Sequence, residues 1–300
     1  MFEGFETAEI ETGETTIFTR RGGAGPPVLL LHGFPQTHLM WRGVAPLLAR
    51  QFTVVCADLR GYGQSGCPAS TPDHEPYSKR AMAKDMVAVM ARLGFPRFSV
   101  AGHDRGGRVA YRMALDHPEH VERLAVFDIV PTQVAWDMAD ARFATAFWPW
   151  SLLAQPEPLP ERLLAAAPEA VIDDALAGWG TPAEVFEAEV RDAHVAALRD
   201  PASIHAICEE YRAAATLDRE HDERDRRAGR RIACPVLAMW SDRGALAEWY
   251  ADVGGPLGIW RSWADHVTGI PVAGGHFFPE EVPETTAAVL SDFLNEIPVS

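Results

Sequence analysis

The feature of this sequence that most constrains its fold is a series of short apolar runs separated by stretches with helical periodicity. The runs are continuous rather than alternating, a pattern typical of strands buried on both faces. They lie at residues 26–33, 52–60, 98–102, 124–129 and 235–240. Because such strands alternate with helices along the chain, the sequence predicts an α/β fold with a mostly parallel sheet flanked by helices.

Local signals delimit two further elements. Apolar residues recur at helical spacing at Met82, Met86, Val89, Met90 and Leu93. Ser78 precedes them as a candidate N-cap and Gly94 follows as a stop signal, which predicts a helix between these two residues. Near the N-terminus, residues 15–20 have the alternating pattern of an edge strand.

The alternation of strands and helices stops after Ile129 and resumes only at Cys234. An insertion of helical sequence between two core strands predicts a cap over the carboxyl edge of the sheet, where open α/β sheets bind ligands. We expect the charged run at 217–231 to be a solvent-exposed return from cap to core. The predicted domains are core residues 1–130, cap residues 131–230 and core residues 231–300.

Net charge narrows the classes of partner. The chain has 27 Lys and Arg residues against 42 Asp and Glu residues, which gives a formal net charge of −15. Such a charge repels nucleic acids and anionic membrane surfaces, so we expect a small molecule as the ligand. If that molecule is an anion, a local cluster of arginines must attract it against the field of the whole protein.

Cysteine use and hydropathy bear on the compartment. The four cysteines show neither metal-ligand spacing nor a C-x-x-C pair, which favours reduced thiols. The N-terminal segment is acidic without an apolar signal region, and no apolar stretch has the length of a membrane span. We therefore expect a cytoplasmic protein.

The sequence AGHDRGGR at 101–108 lies between a predicted strand and a predicted helix. Gly102 and Gly106 flank its centre, as in the G-x-S-x-G turn that exposes a nucleophilic serine, but the central residue here is Asp104. A carboxylate that attacks a saturated carbon forms an alkyl ester, which water can cleave at the carboxylate's own carbon. Aspartate here therefore predicts displacement at an sp³ carbon, or epoxide opening, followed by ester hydrolysis.

This chemistry requires three further groups. His276, after a strand-like segment near the C-terminus, is the candidate base that activates water. The backbone N–H groups of Phe34 and Arg105 are the candidate oxyanion hole, because they follow a buried strand and the nucleophile. Asp128 and Asp242 each end a predicted strand, so either could orient the histidine, and spacing alone does not choose between them.

Two arginines, Arg105 and Arg108, lie in the first turns of the helix after Asp104. Cations are unfavourable beside a helix N-terminus, so two of them at this position indicate a use. A guanidinium matches a carboxylate in a two-point geometry. We expect both arginines to bind a substrate carboxylate and to leave its α-carbon facing Asp104, which would supply the local positive charge that an anionic ligand needs.

Six segments carry a family resemblance: VLLLHGFPQTHLMW, ADLRGYGQSG, AGHDRGGR, FDIVPT, CEEYRAAATLDREHD and GGHFFPEE. Together they resemble the fluoroacetate and haloacetate dehalogenases of the α/β-hydrolase fold, within the superfamily of haloalkane dehalogenases and epoxide hydrolases. The resemblance extends over essentially the whole chain, cap included. It implies hydrolysis of a 2-haloacetate to glycolate and halide by a homodimer that needs no cofactor.

The resemblance also implies residue roles in catalysis. Asp104 would be the nucleophile, His276 the base and Asp128, rather than Asp242, the orienting acid. It assigns the substrate carboxylate to Arg105 and Arg108, in agreement with the interpretation above.

In this family a histidine, the adjacent tryptophan and a cap tyrosine hold the leaving halide. Trp150 and Tyr211 match the tryptophan and the tyrosine, whereas Pro149 stands in place of the histidine and has no side-chain donor. Because fluoride depends most on such donors, we expect defluorination to suffer more than dechlorination. His103 and Trp148 are the nearby residues that could compensate.

Two other functions share parts of this pattern. An epoxide hydrolase uses the same Asp and His but typically needs two cap tyrosines, and of the five tyrosines only Tyr211 falls in the predicted cap. An epoxide also has no anion for Arg105 to bind. Outside the enzymes, a non-catalytic hydrolase-like protein could bind a ligand under its cap, although a full catalytic set argues against this alternative.

Overall fold

A computed structural model describes residues 1–296, which contain one eight-stranded sheet. Its strands are β1 (Glu6–Glu11), β2 (Thr16–Gly22), β3 (Pro27–Leu31), β4 (Thr53–Ala57), β5 (Phe98–His103), β6 (Val121–Phe127), β7 (Val236–Ser241) and β8 (Val267–Val272). Their spatial order is β1-β2-β4-β3-β5-β6-β7-β8. The pairs β1–β2 and β2–β4 are antiparallel and all the others are parallel. The prediction of a mostly parallel sheet is therefore confirmed.

The N-terminal strands differ from the prediction. Residues 15–20 fall mostly in β2, which has a neighbour on each side and is not an edge strand. The edge at this end of the sheet is β1, in which only Ile10 is buried. Its exposed polar side chains give no apolar pattern, so the sequence contained no signal that would have predicted it.

The helices surround this sheet, and their limits follow local signals where these are present. They are α1 (Ala45–Leu48), α2 (Lys79–Arg92), α3 (Asp104–Asp116), α4 (Thr132–Asp137), α5 (Ala141–Ala146), α6 (Trp148–Leu153), α7 (Leu159–Ala166), α8 (Pro168–Ala177), α9 (Ala188–Ala197), α10 (Pro201–Ala215), α11 (Leu217–Arg227), α12 (Leu246–Trp249), α13 (Gly255–Arg261), α14 (Phe278–Glu281) and α15 (Pro283–Asn295). Short 3₁₀ turns lie at His38–Arg42, Glu75–Tyr77, Ala183–Val185 and Ala251–Val253. Helix α2 has the predicted limits: the hydroxyl of Ser78 accepts a hydrogen bond from the N–H of Ala81 at 3.2 Å, and Gly94 follows with φ +88°.

The sheet separates two apolar clusters, which fix its strands from both faces. In β3, Leu29 and Leu31 pack into the cluster that includes residues of α2 and α3. Val28 and Leu30 pack into the other, with residues of α1 and α15. All four side chains are fully buried. The carboxyl ends of the central strands are therefore held firmly enough to position reactive side chains.

Helices α4 to α11 lie between β6 and β7, which matches the predicted helical insertion. The domain limits at 131 and 230 stay a prediction, and residues 297–300 lie outside the described part of the chain. The charged run at 217–231 is not simply solvated, as it was expected to be. Asp222 and Asp225 of α11 are buried and accept hydrogen bonds from Arg112 of α3 at 2.6 and 2.5 Å. Within residues 1–296, no helix combines the length and the apolar character of a membrane span.

Candidate active site

The predicted nucleophile turn lies where β5 passes into α3. Asp104 is the first residue of α3 and has φ 43°, in the left-handed region that a residue with a side chain rarely adopts. Close packing behind the turn requires glycine: a Cβ on Gly106 would lie 2.4 Å from the carbonyl oxygen of His32. The structure therefore has the sharp strand-to-helix bend that the sequence predicted.

The two carboxylate oxygens of Asp104 have different surroundings. Oδ2 accepts a hydrogen bond from the backbone N–H of Phe34 at 3.0 Å. Oδ1 has no hydrogen-bond partner within residues 1–296, and Asp104 lines a cavity. One oxygen is thus held by a predicted oxyanion-hole donor while the other is free to react. A role for the N–H of Arg105 as the second donor stays a prediction.

The candidate base, His276, contacts Asp128. Its Nδ1 lies 2.6 Å from Oδ2 of Asp128, whose Oδ1 accepts a hydrogen bond from the N–H of Ser241 at 2.9 Å. Asp128 directly follows β6 and has φ 52°. An Nδ1–H donated to the carboxylate leaves Nε2 as the acceptor for a proton. Asp242 instead accepts a hydrogen bond from the N–H of Gly274 at 3.2 Å.

Neighbouring charges control the ionisation of the buried Asp104. Burial alone would raise the pKa of Asp104, but the neighbouring His276 and Arg105, together with other nearby groups, outweigh burial and lower it below its ordinary value. Burial and the neighbouring His276 lower the pKa of His103 to about 3. His103 is therefore neutral at physiological pH, and its Nε2 donates to the carbonyl oxygen of His276 at 2.8 Å. The ionised carboxylate of Asp104 is the state that nucleophilic attack requires.

The two predicted carboxylate-binding arginines are both buried but have different partners. Arg105 donates from Nε to Glu210 at 2.6 Å, so its charge is paired, and it is not among the residues that line the cavity. Arg108 lines the cavity and donates from Nη1 to the carbonyl oxygen of Val130 at 2.9 Å and to the hydroxyl of Thr132 at 3.3 Å. Its Nε has no partner in the part of the chain that the structure describes. Arg108 is therefore a buried cation to which no carboxylate of residues 1–296 is bound.

The cavity in front of Asp104 is small and strongly aromatic. Its aromatic lining, apart from His276, consists of Phe143, Phe147, Trp150, Trp179, Tyr211 and Tyr250. The space that the centre of a water molecule can occupy in it is about 30 Å³. A single water needs about 10–15 Å³ in this measure, so the cavity fits only a few non-hydrogen atoms unless side chains move.

The predicted halide-binding residues line this cavity. Trp150 and Tyr211 both line it, and neither the indole N–H nor the phenol O–H is hydrogen-bonded to residues 1–296. Pro149 also lines the cavity, at the position where the resemblance expected a histidine. Trp148 and His103, the two residues that could replace the missing histidine, do not line the cavity. Trp148 donates its indole N–H to Asp174 at 2.8 Å, and His103 is hydrogen-bonded to the backbone of His276.

Several residues at this site were not anticipated from the sequence, and three of them carry polar or indole groups. Tyr250 lines the cavity from the core segment after β7. Trp179 lines it from the cap, with its ring centre 5.4 Å from that of His276. Glu210 binds Arg105 from helix α10. The neighbouring match at Tyr211 could have drawn attention to Glu210, whereas nothing in the local sequence of the other two signalled a role.

The described residues around this cavity include no cluster of metal-binding side chains. Within residues 1–296, no group of three or more His, Cys, Asp or Glu side chains is arranged to hold a metal ion. The ionisable groups that line the cavity include Asp104, Asp128, His276 and Arg108.

Comparison with known proteins connects this geometry to a family. A family profile for the alpha/beta hydrolase fold matches residues 26–169. The chain is 46% identical over 297 residues to a fluoroacetate dehalogenase from Burkholderia sp., covering 99% of this chain and 96% of that protein. It is 32% identical over 275 residues to a soluble epoxide hydrolase from Corynebacterium sp. strain C12, covering 87% of each chain.

A solved structure gives the same result for the fold. A Nostoc sp. PCC 7120 protein, described as an alpha/beta hydrolase, superimposes with a TM-score of 0.95 at 47% sequence identity. The match covers 99% of this chain and 100% of that one, so the similarity includes the helices between β6 and β7 as well as the sheet.

Proposed function

Since the chain belongs to the α/β-hydrolase family and is similar to a fluoroacetate dehalogenase over nearly its whole length, we propose that it hydrolyses a 2-haloacetate to glycolate and halide. One observation carries this proposal: a nucleophilic carboxylate, a histidine–aspartate pair and the unpaired cation Arg108 all face one small cavity within residues 1–296. An anionic substrate of a few atoms matches that charge and that size. The homodimer implied by the resemblance stays a prediction.

The first step is substitution at the halogenated carbon. Oδ1 of Asp104 attacks this carbon, the carbon–halogen bond breaks, and its electron pair leaves with the halide. The product is an ester between Asp104 and the carboxymethyl group. Arg108 would hold the substrate carboxylate during attack, and the donors of Trp150 and Tyr211 would receive the halide.

The second step cleaves this ester with water. Nε2 of His276 takes a proton from water as its oxygen adds to the Cγ atom of Asp104, while Asp128 stabilises the imidazolium. The negative charge develops on Oδ2, which already lies 3.0 Å from the N–H of Phe34. Collapse of this intermediate expels glycolate, which takes the proton from His276. The Asp104 carboxyl keeps the water oxygen and returns to a carboxylate by releasing the second water proton to solvent.

A substrate panel tests this function. We expect the protein to release halide and glycolate from chloroacetate and bromoacetate much faster than it hydrates styrene oxide, because the cavity is small and Arg108 supplies it with a cation. Halide can be measured by ion chromatography and the diol by gas chromatography. Faster turnover of styrene oxide than of chloroacetate would assign the protein to the epoxide hydrolases.

Epoxide hydrolysis stays the second candidate for a specific reason. Tyr250 and Tyr211 both line the cavity, so it contains two phenols, although only Tyr211 belongs to the predicted cap. Epoxide hydrolases typically use two tyrosines to donate to the epoxide oxygen. The buried charge of Arg108 has no corresponding use in that reaction, which is why we place dehalogenation first.

Removal of the Arg108 cation is expected to change substrate selectivity. An Arg108→Ala variant should lose roughly 10- to 100-fold in kcat/KM for chloroacetate, since each charge-assisted hydrogen bond contributes about 1.5–3 kcal/mol. Activity on chloroacetamide, a neutral analogue of the same size, should change much less. Arg219→Ala, at a surface pair with Asp137, is the matched control. Equal losses on both substrates would argue against a carboxylate-binding role.

Replacement of the proline at the halide end is expected to alter the halogen preference. A Pro149→His variant adds a donor beside Trp150 and should raise the rate on fluoroacetate about 10-fold relative to chloroacetate, because fluoride needs such donors most. Halide-release kinetics on fluoro-, chloro- and bromoacetate measure this ratio. An unchanged ratio in a folded variant would show that Pro149 does not limit fluoride departure.

A further inference from the structure

The loop that contains the candidate base is held from two sides. This loop, residues 274–277, presents four successive backbone N–H groups. The first two donate to core carboxylates: Gly274 to Asp242 at 3.2 Å and Gly275 to Glu281 at 2.7 Å. Core side chains therefore bind the backbone N–H groups that precede the histidine, while Asp128 and His103, also of the core, hold the imidazole and the carbonyl oxygen of His276.

The other two N–H groups donate to the cap. The N–H of His276 donates to the carbonyl oxygen of Trp179 at 2.8 Å, and the N–H of Phe277 donates to the hydroxyl of Thr181 at 3.0 Å. Thr181 is 2% exposed and Phe277 is fully buried, so water does not offer an alternative acceptor. The cap therefore supplies the acceptors for the backbone N–H groups of the histidine and of the residue after it.

The two segments also touch closely enough to fix their spacing. A Cβ on Gly275 would lie 2.2 Å from the backbone of Gly180 and Thr181, so the loop and the cap segment meet without a side chain between them. The Trp179 ring stands nearly perpendicular to the His276 imidazole at 84° and is held by its own hydrogen bond to the carbonyl oxygen of Ala146 at 2.8 Å. The position of His276 is thus restrained on its backbone and on its ring by residues 179–181.

We propose that Thr181, together with Trp179, is a positioning residue that aligns His276 for the second step of the reaction. The inference rests on the proposed function. Asp104 is held independently by Phe34 and the core, and only ester cleavage needs the proton transfer to His276. Loss of the Thr181 hydroxyl should therefore slow hydrolysis of the ester without slowing its formation.

The test is pre-steady-state kinetics of Thr181→Val with chloroacetate. We expect steady-state turnover to fall about 10-fold, which is less than the roughly 10²–10⁴-fold of a complete general-base contribution because the base is displaced and not removed. The first equivalent of chloride should still be released at the parent rate, and the carboxymethyl ester on Asp104 should accumulate and be detectable by mass spectrometry. Thr181→Ser, which keeps the hydroxyl, should restore parent behaviour. Thr145→Val, in an exposed cap helix, is the matched control.

The outcomes separate the two proposals. A parent protein that releases no chloride at all would overturn the proposed function. A parent that turns over, with Thr181→Val either unchanged or equally slowed in both steps, would overturn the positioning role. If Thr181→Val does not fold, Thr181→Ala removes the same hydroxyl in a smaller side chain and is judged by the same ester accumulation.

Discussion

An Asp104→Asn variant is expected to lose halide release from chloroacetate by about 10⁴-fold or more, since loss of a covalent nucleophile in other enzymes has effects of this size or larger. An amide has no anionic oxygen to attack the carbon, whereas its size preserves the turn. The amide oxygen can still accept the hydrogen bond from the N–H of Phe34. A large loss can therefore be attributed to chemistry rather than to misfolding. Steady-state chloride release measures it.

The control for this variant is the same change at another strand end. Asp242→Asn keeps an oxygen that can accept from the N–H of Gly274 and should retain most activity. The Asp104→Asn protein must be checked by mass spectrometry for deamidation, which would restore the parent residue. Multiple turnovers in ¹⁸O-water should label Asp104 in the parent protein. Parent-level activity in an intact Asp104→Asn preparation would contradict the nucleophile assignment and everything built on it.

The second large effect is expected from His276→Gln. The variant should carry out one turnover and then stop, because ester formation does not need the base whereas ester cleavage does. We expect about one equivalent of chloride for each active site, followed by steady-state release about 10³-fold slower than in the parent. A carboxymethyl ester should remain on Asp104. Rapid-quench chloride measurement and mass spectrometry of the intact protein follow the two steps.

His205→Gln, a change at a half-buried cap histidine that does not line the cavity, controls for the substitution itself. It should leave both steps unaltered. If His276→Gln instead loses the first equivalent of chloride to the same extent as later turnovers, the histidine acts before ester cleavage. The order of steps proposed here would then be wrong.

The parallel sheet could be predicted from the sequence because its strands are buried on both faces. Each of the five apolar runs forms a strand, from β3 to β7. Edge strand β1 was not predicted, because a solvated strand with one buried residue carries no comparable pattern. Hydrophobic periodicity indicates which residues are buried, so it cannot predict a strand in which few residues are buried.

The site was predictable to the extent that its residues lie at strand ends. Asp104, Asp128 and His276 each follow a strand, and the topology brings such residues to one edge of the sheet. Spacing could not separate Asp128 from Asp242, because both meet that condition. The structure brings Asp128 to the imidazole and Asp242 to the backbone of the same loop.

Most of the contacts that the cap makes with the candidate site could not be predicted from the sequence. Trp179 and Thr181 act through a backbone oxygen and a hydroxyl, in a segment between α8 and α9 that has no periodic pattern. Their importance follows from contacts about a hundred residues along the chain, and long-range packing of irregular segments is not encoded in local propensity. The different partners of Arg105 and Arg108 could not be predicted for the same reason, since the partner of Arg105 is Glu210 from the distant helix α10.

The hydrogen bonds of Glu210 to the core limit the ways in which a ligand can reach the cavity. From α10 it accepts hydrogen bonds from Arg105 at 2.6 Å, from Tyr62 at 2.8 Å and from Lys79, all of which belong to the core. Withdrawal of α10 would leave buried charges without partners, and loss of one such partner typically costs about 3–5 kcal/mol. We therefore expect ligands to enter and leave by rotation of side chains that line the cavity, such as Phe143 and Phe147, and not by hinged opening of the cap. Engineering for bulkier haloacids should shorten those two side chains and leave α10 unchanged.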